Sequence, residues 1–395
     1  MMKITYFLLI VLCFGLLSCT EQAPVSGTIE MDADGQWTPR IFLIDPMSFD
    51  GIATSYRGNI LDSALIDERG NFAFEEMPDA PEPVLLQLVI QKKGERYLNK
   101  LENDELEAAN YFPILWQNGS EINISAEAAQ FQNSLVINDP SPENEALLRL
   151  RDIRLRAYQE LKTKVKGDPH EADQLLAAEK ARLEFQRALM DFAEASEDLL
   201  PALVAIRWVN IAGDYERIPE FIFGQCQHWK EDRPDHPWVA QLCEHGRREV
   251  LPVLQGDIIP DFPLPMLSGD TLALHQLLGN KLTLLDLWAS WCAPCRRENR
   301  EVLVPLWEKY QGAGFQIIGY ALDASPNVWK GAIEKDGADR WQQASHLQGD
   351  DSPFFTQLRI STIPANFLLD AEGRVVGKNL HGAELTEFVR NILGK

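Results

Sequence analysis

The stretch LLDLWASWCAPCRRE, residues 284–298, constrains the fold more than any other part of the chain. An unbroken apolar run ends in two cysteines, Cys292 and Cys295, three positions apart. Such a run without polar alternation reads as a strand buried on both faces. Pro294 suits the first turn of a helix, where its missing N–H costs nothing. The strand is therefore expected to hand over to a helix at Cys292, with that residue as N-cap and its sulfur accepting the N–H of Cys295. The partial positive charge at a helix N-terminus favours thiolate over thiol. Arg296 and Arg297 are expected to add positive charge nearby.

Three chemistries can use such a pair. A zinc site needs about four ligands, and neither a second CxxC nor a nearby histidine exists. A purely structural bond here would close almost no loop, so it would constrain the unfolded chain little. A redox-active thiol pair is the expectation, with no metal and no prosthetic group beyond the Cys292–Cys295 disulfide itself.

The chain has 395 residues, too many for one ordinary core, so two or three domains are expected. Its formal net charge is −22. So acidic a protein repels phosphate backbones, which argues against nucleic-acid binding. Residues 1–18 read as a signal segment: Lys3 precedes fifteen almost wholly apolar residues, too short to span a bilayer. Leu16-Leu17-Ser18-Cys19 resembles a bacterial lipobox, with Cys19 lipidated. The plainer alternative is a cut near Ser18 with no lipid. The expected product lies in the cell envelope, facing the periplasm and held to a membrane through its first residue. Export leaves four thiols where disulfides persist: Cys226, Cys243, Cys292 and Cys295.

Residues 19–126 are expected to form a β-sandwich-like domain. SALIDERGNFAF, 63–74, reads as a hairpin, with Gly70 free to take a positive φ. From about 140 to 250 the period becomes helical, and five helices are expected, with a break at Gly167-Asp168-Pro169. Cys226 and Cys243 fall on the last two, equidistant from the breaker DRPDHP. They are either a staple across a helical hairpin or two buried thiols. His228 and His245 do not complete a zinc site with them, because positions i and i+2 point apart on a helix. Residues 256–395 alternate strand and helix, as an α/β domain with a mixed sheet does.

In that last segment the chain resembles thioredoxin-fold proteins of the TlpA/ResA type, the envelope thiol–disulfide oxidoreductases. The resemblance rests on Pro260-Asp261-Phe262, on Trp288 through Cys295, and on Thr362-Ile363-Pro364. The lipobox, β domain and helical region look like the larger envelope lipoproteins that carry this domain at the C-terminus. The resemblance implies that Cys292 attacks and Cys295 resolves. It implies a cis-proline loop at Ile363-Pro364, whose Ile363 backbone receives a substrate strand. It also singles out Asp286, a carboxylate inside the apolar run, as the base for Cys295, unless it merely bonds locally or faces a polar pocket. Trp291 is expected to shield the thiols and touch substrate. Glu298 matches the family pattern too, and reads as a charge in the first helical turns. The family often has a proline soon after that glutamate. Here Asn299 and Arg300 follow, and the next proline is Pro305, which leaves the helix shape open. The implied activity is disulfide exchange with envelope proteins, in the reducing direction, fed by a membrane thiol donor. An oxidase or isomerase, or a binding lipoprotein with a secondary redox domain, are the alternatives. A thiol peroxidase would be expected to carry a lone peroxidatic cysteine.

Overall fold

The computed structural model describes residues 23–165 and 172–394. The signal segment, Cys19 and the Gly167-Asp168-Pro169 break lie outside these residues.

The first part builds two four-stranded sheets. Their strands are β1 (Val25–Glu30), β2 (Trp37–Asp45), β3 (Asn59–Leu65), β4 (Asn71–Phe74), β5 (Val84–Lys92), β6 (Tyr111–Trp116), β7 (Ile122–Glu127) and β8 (Val136–Asn138). The spatial orders are β4-β1-β7-β8 and β3-β2-β5-β6. The hairpin expected over 63–74 does not form. Strand β3 pairs with β2, whereas β4 pairs with β1 in the other sheet. The turn itself is where it was expected: Asp67 accepts the N–H groups of Arg69 and Asn71, and Gly70 has φ +85°. Beyond it the strands splay, because the Ile66 N–H bonds Pro39 O while the Ile29 N–H bonds Gly70 O. Turn chemistry fixes the reversal, and long-range partners decide the pairing.

After a one-turn α1 (Phe131–Ser134) come α2 (Pro142–Lys164), α3 (Ala172–Ala195), α4 (Leu199–Val209), α5 (Pro219–Asp232) and α6 (Pro237–His245). The last is shorter than its apolar pattern suggested, ending at Gly246. Its packing explains why glycine stands there. A Cβ at Gly246 would lie 2.8 Å from Cys226 Cβ. Cys226 and Cys243 are bonded across the α5–α6 hairpin, with Cα atoms 4.8 Å apart. His245 turns away from them and meets Asp50 at 2.8 Å. Buried side chains of both sheets and of these helices form one continuous apolar cluster, from Val25 to Leu254.

A second cluster runs from Val253 to Leu393. Its elements are β9 (Pro263–Pro265), β10 (Thr271–Ala273), β11 (Leu282–Trp288), α7 (Ala293–Glu298), α8 (Val304–Tyr310), β12 (Phe315–Ala321), α9 (Pro326–Asp336), β13 (Gln342–Ala344), α10 (Pro353–Leu358), β14 (Ala365–Leu369), β15 (Val375–Lys378) and α11 (Gly382–Leu393). The sheet order is β13-β12-β11-β14-β15. Strand β11 is central, parallel to β12 and antiparallel to β14, and every residue in it is buried. That is why its sequence is apolar on both faces. Between α7 and α8, residues Asn299–Leu303 form a π turn, in which the Val304 N–H reaches Asn299 O. The active-site helix is therefore interrupted just before Pro305, which has no N–H to continue an α ladder.

Candidate active site

The site begins at the C-terminal end of β11. Trp288 is fully buried, and its O accepts the Leu322 N–H at 2.8 Å. Ser290 is pinned next: its N–H donates to Asp323 Oδ2 at 2.9 Å, and its hydroxyl donates to Oδ1 of the same carboxylate. Cys292 follows as the N-cap of α7, with an extended backbone (φ −80°, ψ 96°). Its Sγ accepts the Cys295 N–H at 3.3 Å. The two sulfurs are bonded, with Cα atoms 5.3 Å apart. Cys292 is 6% exposed and Cys295 2%. Both residues are buried, Cys292 slightly less so, and Cys292 sits at the helix N-terminus, where a thiolate is stabilised.

Arg296, one of the two arginines expected to add positive charge near the pair, is engaged elsewhere. Arg296 is not free to act on the thiols. It bonds both oxygens of Asp336 and also donates to Ser290 O at 3.1 Å. Arg300 reaches the same carboxylate at 2.7 Å. Asp336 is fully buried, so the pairing is strong. The result is a brace from α9 through α7 to the loop that carries Cys292. One signal for it existed in the sequence. Asp336 ends α9 just before Gly337, and an acidic residue there opposes the helix dipole unless something else holds it.

Asp286 lies on β11, opposite Gly319 and Asn366 in the neighbouring strands. It is 4% exposed, and its carboxyl makes no hydrogen bond to the described residues. Burial pushes its pKa well above the usual carboxylate range, and Glu298 raises it further by charge repulsion.

Glu298 is not the solvated helix charge expected from its position. It is buried, accepts the Gly382 N–H at 3.0 Å and meets His381 Nδ1 at 2.7 Å. It ties the end of α7 to the start of α11. Its partners are more than eighty residues away, so no local pattern could have named them.

The Ile363–Pro364 bond is cis. Ala365 pairs with Leu287, so Pro364 falls level with Trp288, at the strand end that leads into Cys292. Among the described residues, neither the N–H nor the C=O of Ile363 has a hydrogen-bond partner. Trp291 is 62% exposed. No group of three or more acidic, histidine or cysteine side chains fit to hold a metal ion occurs among the described residues.

Comparison with known proteins falls on this same region. The AhpC/TSA family model matches residues 255–378. The thioredoxin-like protein YneN of Bacillus subtilis (strain 168) is 40% identical over 144 residues, which is 36% of this chain and 79% of YneN. The chain belongs to the thioredoxin-like thiol–disulfide oxidoreductases. The thiol–disulfide oxidoreductase ResA of Bacillus anthracis is 27% identical over 146 residues, covering 35% of this chain and 77% of ResA. A solved thiol–disulfide oxidoreductase from Bacteroides fragilis NCTC 9343 is 32% identical, with a TM-score of 0.33, over 35% of this chain and 100% of that one. All three likenesses cover only about a third of the chain. The two sheets and the helices α2–α6 stand outside the AhpC/TSA match.

Proposed function

We propose that the protein reduces disulfides of exported proteins in the cell envelope, using Cys292 and Cys295 as a dithiol. In the working cycle the Cys292 thiolate attacks one sulfur of a substrate disulfide. A mixed disulfide forms, and the other substrate sulfur leaves as a thiolate that takes up a proton. Cys295 then gives its proton to Asp286 and attacks the Cys292 sulfur. The second substrate sulfur leaves, two electrons have passed to the substrate, and Cys292–Cys295 is oxidised. A membrane thiol donor returns two electrons to reset the pair.

The observation that carries this reading is the placement of three groups. One cysteine sulfur caps a helix, its partner lies in the first turn, and a buried carboxyl with a raised pKa stands on the strand leading to them. The unpaired edge at Ile363 supplies a place for an extended substrate segment. Trp291 adds an exposed aromatic surface next to Cys292 in the chain.

In this reading residues 1–18 are a signal peptide and Cys19 carries the lipid anchor. Residues 19–126 form a sandwich-like β domain, 140–250 a helical region, and 256–395 the redox domain. Three measurements on the full chain test it. Reduced protein should reduce insulin, and Cys292→Ser should abolish that. Cys295→Ser should trap substrates as mixed disulfides. The reduction potential should lie well below −120 mV, the region of a strong oxidant. A potential near that value, or unchanged insulin reduction in Cys292→Ser, would sink the proposal.

A further inference from the structure

The Ser361–Pro364 loop cannot complete its own hydrogen bonding within the region that resembles known relatives. The backbone N–H groups of Ser361 and Thr362 find one acceptor among the described residues, the carboxylate of Glu216. The N–H distances are 3.0 and 3.1 Å, and both hydroxyls donate to it as well, at 2.6 and 2.5 Å. Four donors converge on one side chain that lies about 145 residues away in sequence. The next residue grips the far end of the same loop. Arg217 donates to Pro364 O at 3.0 Å, and its guanidinium is held by Glu179 of α3 at 3.0 Å.

The arm that carries this grip is itself fixed. Tyr215 and Ile218 on either side are buried in the first apolar cluster, and the Glu216 N–H is held by Asp214 at 3.0 Å. A second contact backs it: Lys378 at the end of β15 meets Glu220 of α5 at 2.9 Å. Between the two grips, and counting partners among the described residues, Ile363 keeps both backbone groups free.

We infer that Glu216 and Arg217 are positioning residues for disulfide exchange: from the connection between α4 and α5 they hold the Ser361–Pro364 loop so that its Ile363 edge is presented to a substrate strand. The helical region is thereby part of the redox site, although neither residue touches the reacting sulfurs. An edge that is already ordered spares the substrate the cost of ordering it at each encounter. The benefit falls on protein substrates that pair along the edge. A small disulfide that only meets Cys292 gains nothing from it.

This inference rests on the proposed dithiol chemistry, and its test separates the two. Full-length Glu216→Ala and Arg217→Met are compared with the parent for reduction of insulin and for the rate at which reduced protein attacks Ellman's reagent, a small aromatic disulfide. The expected result is a fall of about tenfold in kcat/KM for insulin, carried by KM, with the small-disulfide rate within about twofold. Glu216→Gln, which keeps one carbonyl acceptor, should fall between. Unchanged insulin kinetics in both variants overturn the inference, and so does a parallel loss on both substrates. If Glu216→Ala does not fold, Arg217→Met carries the comparison alone. Should Cys292→Ser retain insulin reduction, the dithiol reading fails first, whatever the Glu216 variants do.

Discussion

Asp286 on β11 and Glu298 at the end of α7 bring two buried carboxyls within electrostatic reach of each other. They are not equivalent. Glu298 is satisfied, by the Gly382 N–H and His381. Among the described residues Asp286 has no hydrogen-bond partner, and burial is the largest cause of its raised pKa. The neutral form of Asp286 is thus favoured, while Glu298 is held in place by donors. A group poised to take a proton and return it is what the resolving step requires.

Asp286→Asn should therefore slow resolution by Cys295 while leaving the first attack by Cys292 nearly intact. The expected loss in the resolving step is on the order of 100-fold, typical of a displaced general base. Acid-quench trapping during insulin reduction should show the mixed disulfide accumulating. In the parent the resolving rate should climb with pH as Asp286 ionises, above the ordinary carboxylate range. That climb should be missing from the variant. A variant that keeps the parental pH profile would exclude Asp286 from proton transfer.

The same carboxyl makes a stability prediction with a definite sign. Its folded-state pKa is raised, so between the unfolded value and the folded one the native state binds more protons than the unfolded chain. The stability it contributes is present below about pH 3.9 and is lost as pH rises through the higher folded value. Asp286→Asn removes this loss. Urea midpoints of the variant should exceed those of the parent at neutral and alkaline pH and converge toward them in acid. A gap that widens on acidification would contradict the assignment.

What could be read before the structure was local. The strand-to-helix handover at Cys292, the sulfur cap on Cys295 and the odd carboxylate inside an apolar run all depend on residues within about two turns of each other. The groups that hold the site depend on distant ones. Asp323 pins Ser290, Asp336 ties down Arg296, His381 meets Glu298, and Glu216 grips the Ser361–Pro364 loop. Each looks like an ordinary surface charge until the fold brings its partner. The misread hairpin at 63–74 has the same origin: the turn is encoded locally, and the sheet each strand joins is not.

The Asp336 brace predicts an effect on both stability and thiol ionisation. Asp336 is fully buried with two arginines on it, Arg296 at 19% side-chain exposure and Arg300 at 44%. Breaking a buried pair costs about 3–5 kcal/mol, and Arg300 can recover part of that by hydration. Asp336→Asn should lower stability by about 3 kcal/mol in chemical denaturation. It should also leave Arg296 uncompensated beside the helix N-terminus. Alkylation of reduced Cys292 should then reach half its plateau at a lower pH than in the parent. A shift to higher pH would mean that Arg296 acts on the thiol only through the loop geometry.

The second disulfide should behave as a staple with no part in turnover. Cys226 and Cys243 join neighbouring helices 17 residues apart in sequence. Closing a loop of that size is worth roughly 3 kcal/mol in the chain-entropy account. Replacing both cysteines by Ala should lower the urea midpoint accordingly, with insulin reduction per folded molecule unchanged. Neither sulfur lies near Cys292 in the chain, and the Cys226–Cys243 bond joins two packed helices rather than capping a helix N-terminus, so a reductant titration should open the pairs in order. Cys292–Cys295, at a helix N-cap that stabilises the Cys292 thiolate as it leaves, should open first, and Cys226–Cys243 only at much stronger reducing poise or with unfolding. Mass mapping of alkylated peptides at each step reads that order directly. If both pairs open together in the folded protein, the α5–α6 bond is itself an exchange site and not a staple.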